Sequence, residues 1–155
     1  MTNYIFDLDG TICESKTPIS EFIRKVLNEL GNVYVISGAS RELMEKQLKG
    51  VQCVILAQNG NDTDKWINKL SLAGKKRILK HIREIERAYK YGGEIEDRGC
   101  QISYSFTGHN ADLNVKKDFD PDKKIRNNIL EVHPFKDKEL IALVAGNTCI
   151  DYIMK

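Results

Sequence analysis

Cysteine is sparse in this sequence. The four residues, Cys13, Cys53, Cys100 and Cys149, lie far apart, with no CxxC pair and no histidine at zinc-finger spacing. That excludes a disulfide scaffold and the usual structural zinc pattern. No apolar run approaches the ~20 residues needed to span a bilayer, so no membrane partner is expected. An excess of either charge is missing too: 24 Lys and Arg against 22 Asp and Glu leave +2. Bulk electrostatics therefore give no pull toward nucleic acid. The one basic cluster, Lys75-Lys76-Arg77, shares a predicted helix with Glu84 and Glu86 and reads as a solvated face, so no nucleic-acid partner is expected. The N-terminus enters an apolar stretch at once, without the basic-then-apolar pattern of a secretory signal, and with reduced thiols this predicts a cytoplasmic location. What is present, 41% hydrophobic and 30% charged residues in 155, is the composition of a folded globular chain of about one domain's length.

Tyr4-Ile5-Phe6 reads as a short buried strand that ends in Asp7-Leu8-Asp9-Gly10. Thr17-Pro18 predicts a helix opening, with Phe22, Ile23, Val26, Leu27 and Leu30 as its apolar stripe and Gly31 as its stop. Val33–Ile36 is a second strand. Ser37-Gly38-Ala39-Ser40 leads into a helix carrying Leu43, Met44, Gln47 and Leu48, and Val51 to Ala57 supplies a third strand. Continuous apolar strands alternating with helices predict an α/β unit with a parallel, Rossmann-like sheet over residues 1–62.

After Asn59-Gly60-Asn61-Asp62 the pattern changes. A long polar helix from about Ser71 to Tyr91 turns Ile78, Ile82, Ile85 and Tyr89 inward, and Cys100 to Thr107 alternates apolar and polar as a strand with one buried and one polar face. A strand around Leu113 to Val115, a helix opened by Asp120-Pro121, and strands at Leu140–Ala145 and Ile150–Ile153 complete a predicted α+β unit over residues 63–155.

Two carboxylates at i and i+2 on an extended segment share one side. If Asp7 attacks a phosphoryl group, a cation must offset the charge repulsion, and a second acid can protonate the leaving oxygen. Mg2+ suits the first need, since it takes oxygen ligands and bridges carboxylate to phosphate. Gly10 would let the main chain approach a phosphate, with neighbouring amides binding the anion.

FDLDGTI at the first strand end and VISGAS at the second together resemble the first two motifs of the haloacid dehalogenase superfamily of phosphotransferases. The resemblance implies Asp7 as a nucleophile that becomes an aspartyl-phosphate, and Asp9 as general acid and base, both meeting Mg2+, Asp9 through its main-chain carbonyl. It makes Ser37 a phosphoryl contact, with Leu8, Gly10 and Gly38 adding amides. ILAQNG resembles the turn that precedes the cap in the subgroup holding phosphomannomutases and sugar-phosphate phosphatases. Arg98-Gly99 with Asn110-Ala111-Asp112-Leu113-Asn114-Val115, and AGNTCIDY, are similar to phosphomannomutase cap segments, which would turn Arg98, Asn110 and Asp151 toward substrate.

Ser105 stands where that cap pattern carries a second arginine, which favours hydrolysis of a small phosphorylated metabolite, such as a sugar phosphate, over mutase chemistry. Against the family's pattern, residues 1–155 stop before a third-motif lysine and a fourth-motif acidic loop. The expectation is weak Mg2+ affinity, negligible turnover, and either self-association through the exposed apolar edge at Tyr4-Ile5-Phe6 or a need for the missing segment in trans. A phosphomannomutase-like phosphotransferase, a persistent phospho-acceptor of the receiver kind, and a non-catalytic fragment that binds a phosphosugar or a partner are the alternatives.

Overall fold

The computed structural model describes residues 2–155 and divides the chain into two compact units, Met1–Asn68 and Lys69–Lys155. In the first unit three four-residue strands, β1 (Tyr4–Asp7), β2 (Val33–Ile36) and β3 (Cys53–Leu56), form a parallel sheet in the order β1-β2-β3. Helices α1 (Glu21–Leu30) and α2 (Arg41–Gln47) connect them, as expected for βαβ units, and one distorted turn, α3 (Ala57–Gly60), follows β3. Leu8, Leu27, Val35, Met44 and Leu48 form the core between sheet and helices.

Helix α1 starts later than the Thr17-Pro18 signal predicts. Thr17 instead closes a turn on the Glu14 carbonyl, and Ser20 is the cap, its hydroxyl accepting from the Ile23 amide at 3.2 Å. The expected apolar stripe of α1 is also split. Leu27 is buried, whereas Phe22 is 73% exposed and Val26 and Leu30 are partly exposed. Beyond β3, residues 57–68 stay with the first unit. Arg41 holds Asp62 at 2.9 Å and Asp64 at 2.8 Å, and bridges join Ala57 to Asp62 and Asp62 to Ile67. The division therefore falls six residues beyond the composition shift at 62.

The second unit is a four-stranded antiparallel sheet in the order β4-β5-β7-β6, formed by β4 (Glu94–Asp97), β5 (Gln101–Ser105), β6 (Leu140–Ala145) and β7 (Cys149–Met154). One face is covered by α4 (Leu72–Tyr89) and α6 (Lys124–Val132): Ile78, Ile82 and Ile85 pack with Ile129 onto Ile102, Tyr104, Ile150 and Tyr152. Ser71 caps α4, and the flanking cations of the basic cluster are paired, Lys75 with Asp97 and Arg77 with Asp137 and Glu139. The strand expected around Leu113–Val115 is instead helix α5 (Leu113–Phe119). Asp112 caps it by accepting from the Asn114 amide at 2.8 Å, and Leu113 and Val115 are half exposed, with no sheet to bury them. Arg126 is fully buried. It donates to Asp120 at 2.8 Å and to the carbonyls of Ala145, Gly146 and Cys149, locking α6 to the β6–β7 hairpin. Among the described residues no helix is long and apolar enough to cross a membrane.

Candidate active site

The parallel strands β1 and β2 are in register, Asp7 opposite Ile36, so their C-terminal ends deliver Asp7, Asp9 and Ser37 to one end of the sheet. Asp7 is exposed, and its Oδ2 accepts from the Thr11 hydroxyl at 3.0 Å. Leu8 is its opposite: the side chain is fully buried, and the carbonyl accepts from the amides of Thr11, Ile12 and Cys13. This anchor holds the turn through Gly10, whose φ of 84° lies in the left-handed region open to glycine and whose amide donates to the Cys13 carbonyl at 2.7 Å. As the structure stands, that amide serves the loop itself.

Asp9 is partly buried and differently held. Its Oδ1 accepts from the Lys16 amide at 2.9 Å and from the Gln47 side-chain nitrogen at 3.1 Å, while Oδ2 lies 3.4 Å from the Ser37 hydroxyl. Ser37 is buried, and its Oγ also accepts from the Ala39 amide. The turn after β3 latches this segment. Gln58 and Asn59, both in the left-handed region, donate main-chain amides to the carbonyls of Ala39 and Ser37. Two adjacent non-glycine residues there carry strain that the two latching hydrogen bonds offset. Asp9 and Ser37 thus meet, with Gly38 between Ser37 and the Ala39 amide, and Asp7 lies at the same end of the sheet. Cys13 is beside them, and burial pushes its thiol above the ordinary range, with Asp9 adding to the effect, which leaves it a poor nucleophile.

Gln47 is the residue that reading the sequence placed on an apolar helix stripe and nowhere else. At 2% exposure it reaches Asp9 from α2. A glutamine at a core position between Met44 and Leu48 is itself the signal, because buried amides need partners.

In the second unit, Asp151 on β7 pairs opposite Ser103 on β5, whose hydroxyl donates to it at 2.6 Å, and Gln101 donates at 3.3 Å. Burial pushes the Asp151 carboxyl above its ordinary range, against the lowering effects of Ser103, Arg98 and His109. Arg98 donates to Glu96 at 2.6 Å, and His109 lies 3.3 Å from the same carboxylate. Arg98 is near enough to Asp151 for each to act electrostatically on the other. Asn110 is exposed in the turn beyond His109. Ser105 faces Thr148 at 3.0 Å, so the polar face of β5 is as buried as its apolar face.

No family model matches the chain. It is 26% identical to the phosphomannomutase of Saccharomyces cerevisiae, over 97% of this chain and 69% of that protein, and 27% identical to that of Encephalitozoon cuniculi, over 99% and 70%. Among solved structures, the C-terminal domain of Candida albicans trehalose-6-phosphate phosphatase superposes with a TM-score of 0.64 at 17% identity, over 97% of this chain and 56% of that one. A phosphatase of the haloacid dehalogenase superfamily from Bacteroides thetaiotaomicron gives 0.61 at 11%, over 99% and 67%. The chain has the haloacid dehalogenase fold. Within that fold, the ends of β1 and β2 carry the two motifs noted in the sequence, and this chain spans little more than half of the trehalose-6-phosphate phosphatase domain it superposes on.

Mg2+ is the group such a site implies. Among the described residues no three His, Cys, Asp or Glu side chains gather as a ready metal cage. Asp7 nevertheless presents hard oxygen donors with a single hydroxyl contact, and Mg2+ is commonly held by one or two carboxylates together with water and substrate phosphate. The residues present fit that mode.

Proposed function

We propose that this chain is a Mg2+-dependent phosphomonoesterase acting through an aspartyl-phosphate on a small phosphorylated metabolite, with a sugar phosphate favoured. The observation that supports it most is the asymmetry of the two carboxylates: Asp7 is exposed and barely engaged, as a nucleophile must be, while Asp9 is fixed by donors beside Ser37. In the first half-reaction an Asp7 oxygen bonds to phosphorus as the ester P–O bond breaks, and the leaving oxygen keeps the electron pair and takes a proton from Asp9. In the second, water attacks phosphorus and gives its proton to Asp9, and the Asp7–phosphorus bond breaks with its electron pair returning to the carboxylate. Ser37 and the amides of Leu8 and Gly38 hold the phosphoryl oxygens, and Gly10 shapes the turn so that the main chain can approach them. Asp7 and the Asp9 carbonyl would hold Mg2+, which supplies charge neutralisation between carboxylate and phosphate. Arg98, Asn110 and Asp151 contribute substrate recognition.

The experiment is hydrolysis of p-nitrophenyl phosphate with and without Mg2+. The chain should release phosphate only with the metal, and Asp7→Asn should fall to background. Wild-type rates in Asp7→Asn would overturn the mechanism. Because two curated relatives are phosphomannomutases, phosphoryl transfer within a hexose phosphate is the second reading. Conversion of mannose 1-phosphate to the 6-phosphate faster than phosphate release would favour it. Self-association belongs to the same proposal: β1 is an edge strand with Ile5 67% exposed, and Ile5→Lys should shift any oligomer seen in sedimentation to monomer.

A further inference from the structure

The Gln47 carboxamide is surrounded by acceptors. Its nitrogen donates to Asp9 Oδ1 at 3.1 Å and to the Thr17 carbonyl at 3.1 Å, and it touches Cys13 Sγ at 3.5 Å. Its own Oε1 is buried without a hydrogen-bond partner. Turning the amide over would set that oxygen against a carboxylate and a carbonyl, so the orientation is fixed by what the nitrogen serves. A buried acceptor left unpaired is a cost, and such exceptions concentrate where function needs them.

The donors on Asp9 are unevenly distributed. Both the Gln47 amide and the Lys16 main-chain amide, the latter on a residue with φ of 61°, converge on Oδ1. Oδ2 has the longer 3.4 Å contact to Ser37 Oγ. We infer that Gln47 is a positioning residue for Asp9: together with the Lys16 amide it pins Oδ1, leaves Oδ2 as the oxygen that gives and takes the proton, and keeps Oδ2 on the Ser37 side. Gln47 touches no reacting atom. It also ties α2 to the loop between β1 and α1, through the Thr17 carbonyl and the Gln47 carbonyl, which accepts from the Ile19 amide. The inference rests on the phosphomonoesterase reading and adds to it the group that aims the acid.

The test compares two esters in the chain of residues 1–155 with Mg2+, using Gln47→Leu, which keeps the volume and removes the donor. Values of kcat/KM report the step in which the leaving group departs. A p-nitrophenolate leaves without help, while the alkoxide of glycerol 2-phosphate needs a proton. Gln47→Leu should lose ~10²-fold on the alkyl ester, the low end of general-acid contributions, and under ~3-fold on the aryl ester. Equal losses on both, or none on the alkyl ester, would overturn the inference and give Gln47 a structural role only. Asp7→Asn run in parallel separates the two ideas, because its retention of activity, or a wild type inert on both esters, removes the phosphomonoesterase reading itself. A second measurement is independent of turnover. The Gln47 side-chain amide resonances should shift in Asp9→Asn and stay in place in Asp7→Asn, and an unmoved signal in Asp9→Asn would contradict the contact.

Discussion

The two units treat their carboxylates in opposite ways. In the second, Asp120 is buried and saturated: it accepts from the Ile125 and Arg126 amides and from the Arg126 guanidinium, and these bonds hold its carboxyl below the usual range even though burial alone would raise it. In the first, Asp7 is exposed with one hydroxyl contact. The first kind of acid serves the fold and the second is left available. Burial and donor count, more than residue type, separate Asp120 from Asp7.

The contrast breaks most sharply if the two acids are exchanged in effect. Asp7→Asn should drop hydrolysis to background while moving urea-unfolding stability by no more than ~0.5 kcal/mol, as for an exposed surface change. Asp120→Ala should do the reverse in kind. Removing one partner of the buried pair leaves Arg126 uncompensated and costs about 3–5 kcal/mol, read as an earlier unfolding transition for the second unit. A smaller effect, about 1 kcal/mol, is expected for Ser71→Ala, which removes the α4 cap whose hydroxyl accepts from the Gly74 amide at 3.0 Å.

The smallest effect depends on pH. Arg77 beside Asp137 lowers that carboxyl to about 2, against ~3.9 for an unperturbed aspartate. The ionised form is favoured by the fold, so the stabilisation is complete above about pH 4 and is lost as the pH falls through 2. Asp137→Asn should lower the urea midpoint at pH 6 and match the wild type near pH 2. A difference that persists at pH 2 would mean the side chain acts by shape and not by charge.

Much of the first unit was legible because its signals are local. Tyr4–Asp7 and Val33–Ile36 are unbroken apolar runs that stop at a carboxylate and a serine, and a strand that stops at such residues places them at the sheet's end. Phe22, Val26 and Leu30 stay exposed to different degrees, which the pattern could not show, because periodicity marks an apolar stripe without saying how much of it is covered. In the second unit the failures are those of distance. Leu113-Asn114-Val115 has the composition of a strand, and what made it helical is the Asp112 cap and the lack of a neighbouring strand to pair with. The polar side of β5 could not be read as buried, because Ser103 is sequestered by Asp151, 48 residues later in the chain. Gln47 was missed for the same reason, since its partner Asp9 lies 38 residues earlier.

The central claim is that Asp7 carries the phosphoryl group. Incubating the Asp9→Asn chain with a phosphomonoester and Mg2+, quenching in acid and mapping the phosphorylated peptide by mass spectrometry tests it most directly. The account predicts one hydroxylamine-labile phosphoryl group on Asp7, retained because the base needed for its hydrolysis has been removed. Phosphate on any other residue, or the same adduct in a chain also carrying Asp7→Asn, would contradict it.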